Sequence, residues 1–314
     1  MCGICGLLAP SGAPDPTLVE RMNAALVHRG PDEGSVDAFG RCLLGNRRLQ
    51  VIDLATGSQP VANESGDVVA VFNGELYNFR ELRAELAGHE VRGSGDTPVI
   101  PHLYEESGPA FVSRLEGMFA IALWDAGRER LVLARDRVGK KPLLWTRLGD
   151  GTLAFASELK ALLRLPGVSR ELDPAALDAY LALQYVPAGT ALQGVEKLPP
   201  GHLLVAEGES VRVEPYWSLE PWADELRDEE WLERIRETVG VAVRRRPVRR
   251  ARLRPGRRRA LRHGARGDRG RAGRDRAPAA ACTDVRRAAR RRGSAPAVRR
   301  QRAGAASRDG RAHR

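Results

Sequence analysis

Residues 1–240 predict a mixed α/β protein, and three observations carry that reading. Apolar runs of strand length recur, at Val68–Phe72, Met118–Trp124 and Leu131–Ala134. Apolar side chains repeat at i+4 behind Asp-Pro pairs, the chemistry with which helices begin. Turn residues such as Asp125-Ala126-Gly127 separate the runs.

Taken in order, Asp15 fills an N-cap and Pro16 the first helical position, after which Leu18, Met22 and Leu26 mark a short helix. Val68–Phe72 reads as a buried strand, and Asn73-Gly74 as the turn that ends it. Phe79, Leu82 and Leu86 mark a helix that Gly88 can close. Met118–Trp124 and Leu131–Ala134 read as paired strands. Phe155 leads into a helix over Ser157–Leu165, Asp173-Pro174 caps another running through Ala182, and Trp231, Ile235 and Val239 start one more.

Composition divides the chain. Of 51 Lys+Arg and 40 Asp+Glu, residues from Val241 on hold 27 Arg, no Lys, 4 Asp and no Glu, which leaves 24 basic and 36 acidic residues in 1–240. After Gly240 there is no Ile, Phe, Trp, Tyr or Met and only two leucines, Leu253 and Leu261. Such a segment cannot bury enough apolar surface to offset its ordering entropy, so disorder is expected over 241–314. The longest apolar run, Met118–Trp124, is far too short to cross a bilayer. The start has neither a basic region nor an apolar stretch of the secretory kind, which predicts a cytoplasmic protein with free thiols.

The chain begins Met1-Cys2-Gly3-Ile4-Cys5. No strand precedes the C-x-x-C pair, which disfavours a thioredoxin-like site. Cys42 and Cys282 are isolated and the six histidines form no close pairs, so no metal is expected. Cys5 and Cys42 fit small buried thiols. Removal of Met1 would place a thiol and a free amine on Cys2. An α-amine titrates at about 7.7–8.0 and can serve as a base near neutrality, so one residue would supply both nucleophile and base.

His28-Arg29-Gly30-Pro31-Asp32, Leu44-Gly45-Asn46-Arg47-Arg48-Leu49, Phe72-Asn73-Gly74-Glu75-Leu76-Tyr77-Asn78 and Gly95-Asp96-Thr97 follow in order. Taken alone, Asn73-Gly74 is a turn, Arg47-Arg48 a solvated charged pair and Asp96 a helix cap. Taken together with the N-terminal Cys2, the series resembles the class II glutamine amidotransferase domain. Gly117-Met118-Phe119-Ala120, Ala134-Arg135-Asp136-Arg137, Gly139-Lys140-Lys141-Pro142 and Ala156-Ser157-Glu158-Leu159-Lys160 resemble it too. Tyr185-Val186-Pro187 and Lys197-Leu198-Pro199-Pro200-Gly201-His202 narrow the resemblance to glutamine-hydrolysing asparagine synthetases.

The resemblance implies an N-terminal-nucleophile hydrolase fold, a four-layer αββα sandwich of α+β class, over residues 2–213. It implies that Cys2 attacks the glutamine side-chain amide to form a thioester and release ammonia. Asn73 and Gly74 would hold the oxyanion, Arg48 the α-carboxylate of L-glutamine and Asp96 its α-ammonium. Glu75, Leu49, Val51 and Ile52 would line the same pocket. Two departures bear on this: Asn46 stands where the family often has His, and Pro98 and Pro101 fall where it has helix formers. Pro101 is expected to strain or shift the helix after Asp96.

In the family a second domain activates aspartate, or in some relatives another carboxylate, with ATP and Mg, and ammonia attacks it. Its phosphate loop reads Ser-Gly-Gly-Leu-Asp-Ser, which this sequence lacks. Residues 214–240 resemble the start of that domain. Read one base downstream with GC-rich codons, Pro247–Arg254 is compatible with Leu-Ser-Gly-Gly-Leu-Asp-Ser, so a frameshift near Gly240 is the expectation; the DNA across codons 235–260 decides it. No cofactor is expected in the chain as it stands. The resemblance is compatible with a homodimer. The alternatives are a stand-alone glutaminase, an inactive product, or a nucleic-acid binder acting through the arginine tail, which lacks aromatic residues for base stacking.

Overall fold

The computed structural model describes residues 1–50, 57–219 and 226–244, which lie within one compact unit, Met1–Leu253. The tail beyond residue 244, and with it Cys282 and Pro247–Arg254, lies outside the described residues. So do Val51 and Ile52.

Two six-stranded antiparallel sheets form the body. The first contains β1 (Gly3–Leu8), β2 (Glu33–Phe39), β3 (Cys42–Arg48), β8 (Leu144–Arg147), β9 (Leu153–Ala156) and β10 (Val195–Lys197), in the order β10-β8-β9-β1-β3-β2. The second contains β4 (Val61–Ala62), β5 (Val68–Leu76), β6 (Gly117–Asp125), β7 (Arg130–Arg135), β11 (His202–Glu207) and β12 (Ser210–Pro215), in the order β12-β11-β7-β6-β5-β4. The helices are α1 (Pro16–Ala24), α2 (Phe79–Glu85), α3 (Val99–Ser107), α4 (Leu159–Leu162), α5 (Pro174–Leu183) and α6 (Asp228–Arg244), with a 3-10 turn at Gly108–Arg114.

Period-two alternation splits each central strand between two cores. In β1, Ile4 and Leu8 join the core between the sheets, while Cys5 and Leu7 face outward against Val19 and Met22 of α1 and Leu162 of α4. In β5, Val69 and Val71 point to the inter-sheet core, while Ala70 and Phe72 pack with Val99, Ile100 and Leu103 of α3. Three apolar layers therefore separate four layers of secondary structure, the αββα sandwich that the resemblance implied. Among the described residues no helix is long and apolar enough to cross a membrane.

Local signals placed several elements well. Asp15 caps α1 through Thr17 N–H at 2.9 Å, and Asp173 caps α5 through Ala175 N–H at 2.9 Å. The Asp125-Ala126-Gly127 turn joins β6 to β7. Two expectations fail. Asn73-Gly74 is not a turn: β5 runs on to Leu76, with Asn73 paired to Ala120 and Gly74 to Phe119. The glycine serves close strand approach instead, since a Cβ there would lie 2.3 Å from the Met118 carbonyl oxygen. Nor does Pro101 break its helix. The helix starts at Val99, so Pro101 occupies the third helical position, whose N–H has no intrahelical partner to lose.

Candidate active site

Two strand ends build the site, one from each sheet. On the first sheet, Ser157 grips the start of β1 twice: Ile4 N–H donates to its Oγ at 3.0 Å and its own N–H donates to the Ile4 carbonyl at 2.9 Å. Arg29 Nε donates to the Cys2 carbonyl at 2.9 Å, and its Nη1 donates to Glu158 Oε1 at 2.8 Å. The turn carrying Arg29 lies tight on β3, where a Cβ on Gly30 would come 2.3 Å from the Arg47 carbonyl carbon. The result is a half-buried Cys2 whose Sγ lies 3.9 Å from the Leu49 carbonyl oxygen.

Charge around this end is arranged. Burial pushes the Lys141 ammonium below its usual range, with the negative charges of Cys2, Asp136 and Glu75 opposing and Arg29 adding to the shift. The chain's terminal amine, here on Met1, is also lowered by burial, helped by Arg29 and Lys141 and opposed by Cys2 and Asp32. An amine at this position therefore carries its lone pair at lower pH than a solvated one. Glu158 anchors the group. Burial alone would raise its carboxyl, but hydrogen bonds from Arg29, His28 and Lys160 hold it at about 2. Cys5, by contrast, is fully buried among α1 and β9 residues, and its thiol is pushed up to about 12. Cys42 is likewise raised by burial. Cys2 alone among the described cysteines is placed to react.

On the second sheet, Asn73 is 1% exposed, yet among the described residues neither its Nδ2 nor its Oδ1 has a hydrogen-bond partner. A buried amide left unsatisfied on both atoms is costly, and in a native site it signals a ligand. The strand carrying it is fixed from the first sheet: Asn46 Nδ2 donates to Gln59 Oε1 at 3.1 Å, and Gln59 bridges the Phe72 backbone on both sides, at 2.7 and 3.1 Å. Asn46, at the position where a His was expected, thus orients the residue next to Asn73. Asp96 is buried and accepts the Leu76 N–H at 2.9 Å, which sets it beside the end of β5. Burial raises its carboxyl above the ordinary range, with the Glu75 charge adding to the shift against hydrogen bonds from Leu76 and its own backbone. A buried carboxylate of this kind gains from an incoming cation.

The three bland readings therefore fail on geometry. Asn73-Gly74 lies within a strand. Arg48 is 4% exposed and its Nη1 donates to Glu33 Oε2 at 3.0 Å. Asp96 caps no helix, because Pro98 holds the N-cap of α3. The fold collects Asn73, Gly74, Glu75 and Asp96 around one strand end, and Cys2 and Leu49 around the other. Lys141 feels the charge of both Cys2 and Glu75. Sequence reasoning gave no role to Arg29, Glu158, Lys141, Asn46 or Gln59, nor to Arg83. Arg83 holds the loop before Asp96 by donating to the Val91 carbonyl at 3.1 Å and the Gly95 carbonyl at 3.2 Å. Arg29, Glu158, Lys141 and Asn46 lie inside the motif series, which was the available signal; Gln59 and Arg83 carried none.

Comparison with known proteins agrees with this geometry. A family model described as a glutamine amidotransferase domain matches residues 1–217. Asparagine synthetase [glutamine-hydrolyzing] 2 of Bacillus subtilis is 34% identical over 263 residues, covering 78% of this chain and 35% of that protein. Asparagine synthetase [glutamine-hydrolyzing] 2 of Oryza sativa subsp. japonica is 42% identical over 164 residues, covering 51% and 28%. This chain thus spans about a third of the length of these relatives. Among solved structures, the allosteric regulatory enzyme of purine biosynthesis superposes with a TM-score of 0.51 at 20% identity, covering 69% of this chain and 49% of that one. Glutamine phosphoribosylpyrophosphate amidotransferase from B. subtilis gives 0.50, also at 20% identity and with the same coverage. At that identity the likeness speaks for the fold alone. An N-terminal cysteine held by one sheet, a buried amide and carboxylate held by the other, and a family match over more than two thirds of the sequence lead to one conclusion: the chain belongs to the glutamine amidotransferase domain family, in the form carried by asparagine synthetases.

Proposed function

We propose that residues 2–213 hydrolyse L-glutamine through Cys2 and deliver ammonia. The observation that carries this reading is the unsatisfied buried amide of Asn73. Once Met1 is removed, the Cys2 amine takes the thiol proton, and the thiolate attacks the glutamine side-chain carbonyl carbon. The tetrahedral oxyanion accepts from Asn73 Nδ2 and the Gly74 N–H, the two donors that this reading assigns to it. The C–N bond breaks as the amine returns its proton to the leaving nitrogen, giving ammonia and a thioester. Water then attacks the thioester and frees glutamate and the thiol. Arg48, held by Glu33, faces the substrate α-carboxylate, and Asp96 with Glu75 receives the α-ammonium. On this reading Leu49 lines the pocket; Val51 and Ile52, assigned to it by the resemblance, lie outside the described residues.

The ammonia acceptor, aspartate or another carboxylate, belongs to the portion of the relatives that this chain does not span. ATP and Mg belong there as well. The sequence carries no Ser-Gly-Gly-Leu-Asp-Ser loop to hold them, and no step here runs through them. On this reading residues 214–240 open the synthetase domain, and the protein works in the cytoplasm, where glutamine is supplied.

The test is glutamate release by the full chain with glutamine as sole substrate, alongside alkylation of Cys2 by a haloacetamide. Cys2→Ala is expected to reduce release to background, and glutamine is expected to protect Cys2 from alkylation. Undiminished release in Cys2→Ala, or alkylation indifferent to glutamine, would overturn the proposal.

A further inference from the structure

The fold gathers a second constellation that the amidotransferase reaction does not use. Glu64 follows β4, His89 follows α2, and His102 and Glu105 lie three apart on α3. The β5 strand and α2 separate the first segment from the other two, and 13 residues separate His89 from His102. Packing nevertheless brings the His89 and His102 rings to 5.1 Å between centroids, and one donor atom from each of the four residues falls within 4.8 Å of all the others.

The distances fit a shared ion. His102 Nδ1 lies 3.2 Å from Glu64 Oε2 and 3.3 Å from Glu105 Oε2. His89 Nδ1 lies 3.3 Å from Glu64 Oε1 and 3.7 Å from Glu105 Oε2. Nitrogen and carboxylate ligands about 2.0–2.1 Å from a tetrahedral zinc ion stand roughly 3.3–3.4 Å apart. Hydrogen bonding does not account for the group instead. His102 is 1% exposed, and its Nδ1, despite two carboxylate oxygens nearby, has no neighbour with hydrogen-bond geometry. A buried imidazole nitrogen is thus aimed into the cluster, within ion-pair range of two carboxylates but in hydrogen-bond geometry with neither, which calls for something between it and the oxygens.

The surroundings already orient the ligands, as outer partners do at metal sites. Asn63 Nδ2 donates to Glu105 Oε1 at 2.8 Å, leaving Oε2 turned inward. The Glu90 N–H donates to Glu64 Oε1 at 2.6 Å. Glu106 Oε1 stands 3.6 Å from His89 Nε2 and Arg114 Nη1 stands 3.6 Å from Glu106 Oε2, so a further carboxylate closes the far side.

We propose that Glu64, His89, His102 and Glu105 form a binding site for one divalent transition-metal ion, with the two imidazoles and two carboxylates suited to zinc. The ion would tie the β4–β5 hairpin, the loop after α2 and α3 together. That loop runs directly into Asp96, so the ion would stiffen the part of the chain that receives the substrate ammonium. The ion takes no part in the chemistry at Cys2.

The test uses the full chain, stripped with a chelator and dialysed, and then titrated separately with Zn2+ and Co2+. Binding is followed by equilibrium dialysis, by the ligand-field absorption of Co2+ and by thermal melting. The wild type is expected to bind one ion that His89→Gln and Glu64→Gln each weaken by at least about tenfold. Both residues are partly exposed, so these variants should keep the fold, and their melting without metal checks it. The Co2+ spectrum is expected to show tetrahedral nitrogen and oxygen ligation, and the melting temperature to rise with added Zn2+ in the wild type only. No saturable binding of either ion would overturn the proposal, as would equal affinity in the wild type and both variants.

Discussion

The two sheets bring opposite kinds of polar group to the same site. On the Cys2 side the supports are hydrogen-bonded to one another, Arg29 Nη2 excepted: Ser157 bonds Ile4 twice, Arg29 joins the Cys2 carbonyl to Glu158, and Glu158 takes further hydrogen bonds from His28 and Lys160. On the Asn73 side polar groups are buried and withheld: an amide with no partner and a carboxylate raised by desolvation. The first arrangement stabilises the fold and aims a nucleophile. The second costs stability in the free protein and recovers it when a ligand arrives. Substitutions of the groups that support Cys2 and of the buried groups on the Asn73 side should therefore separate, the first costing mainly stability and the second mainly activity.

Asn73→Leu should give the largest effect. Losing one oxyanion donor lowers kcat by roughly 100- to 1,000-fold. Because the substitution also removes a buried unsatisfied amide, the melting temperature should hold or rise. A large fall in melting temperature with kcat unchanged would break the contrast.

Asp96→Asn sharpens it. The variant keeps an oxygen for the Leu76 N–H but loses the charge, so kcat/KM for glutamine should fall by about 10- to 100-fold, mostly through KM. The folded-state pKa is raised, so ionised Asp96 costs stability at neutral pH, and that cost fades as pH falls through the raised value toward about 4. Asp96→Asn should accordingly melt higher than the parent at pH 7, with the gap closing in acid. Melting curves from pH 4 to 8 check the sign.

Glu158→Gln should give the smallest effect on turnover, a few-fold through a looser Arg29, while lowering the melting temperature by about 2–4 °C. Here the folded pKa, about 2, lies below the ordinary 4.5. The stabilisation is therefore present above about 4.5 and lost as pH falls from there toward 2. The difference between parent and variant should be full at pH 6 and shrink below pH 4.5, opposite in sign to that for Asp96→Asn.

Much of this site was legible in sequence because its signals are short and ordered. Cys2 next to Met1, the capping Asp-Pro pairs and the motif series needed no knowledge of packing. Asn73-Gly74 misled because its turn propensity is local, whereas pairing with β6 along Val68–Leu76 is a long-range fact that overrides it. Pro101 misled because the harm a proline does depends on where the helix starts, and the start at Val99 was not written in any single residue. Glu158, 129 residues from Arg29, and His102, 13 residues from His89, gain their meaning only from neighbours that the chain brings back.

The sequence by itself determined the α/β character, the family and the candidates for the reacting residues, because composition, period and motif order are properties of neighbouring positions. Tertiary structure alone decided which polar groups are satisfied. It left the Asn73 amide open, raised Asp96, and closed four side chains from three segments around one buried imidazole nitrogen. Burial and hydrogen-bond partnership are set by contacts distant in the chain, and a protein's buried polar groups acquire their chemistry from those contacts.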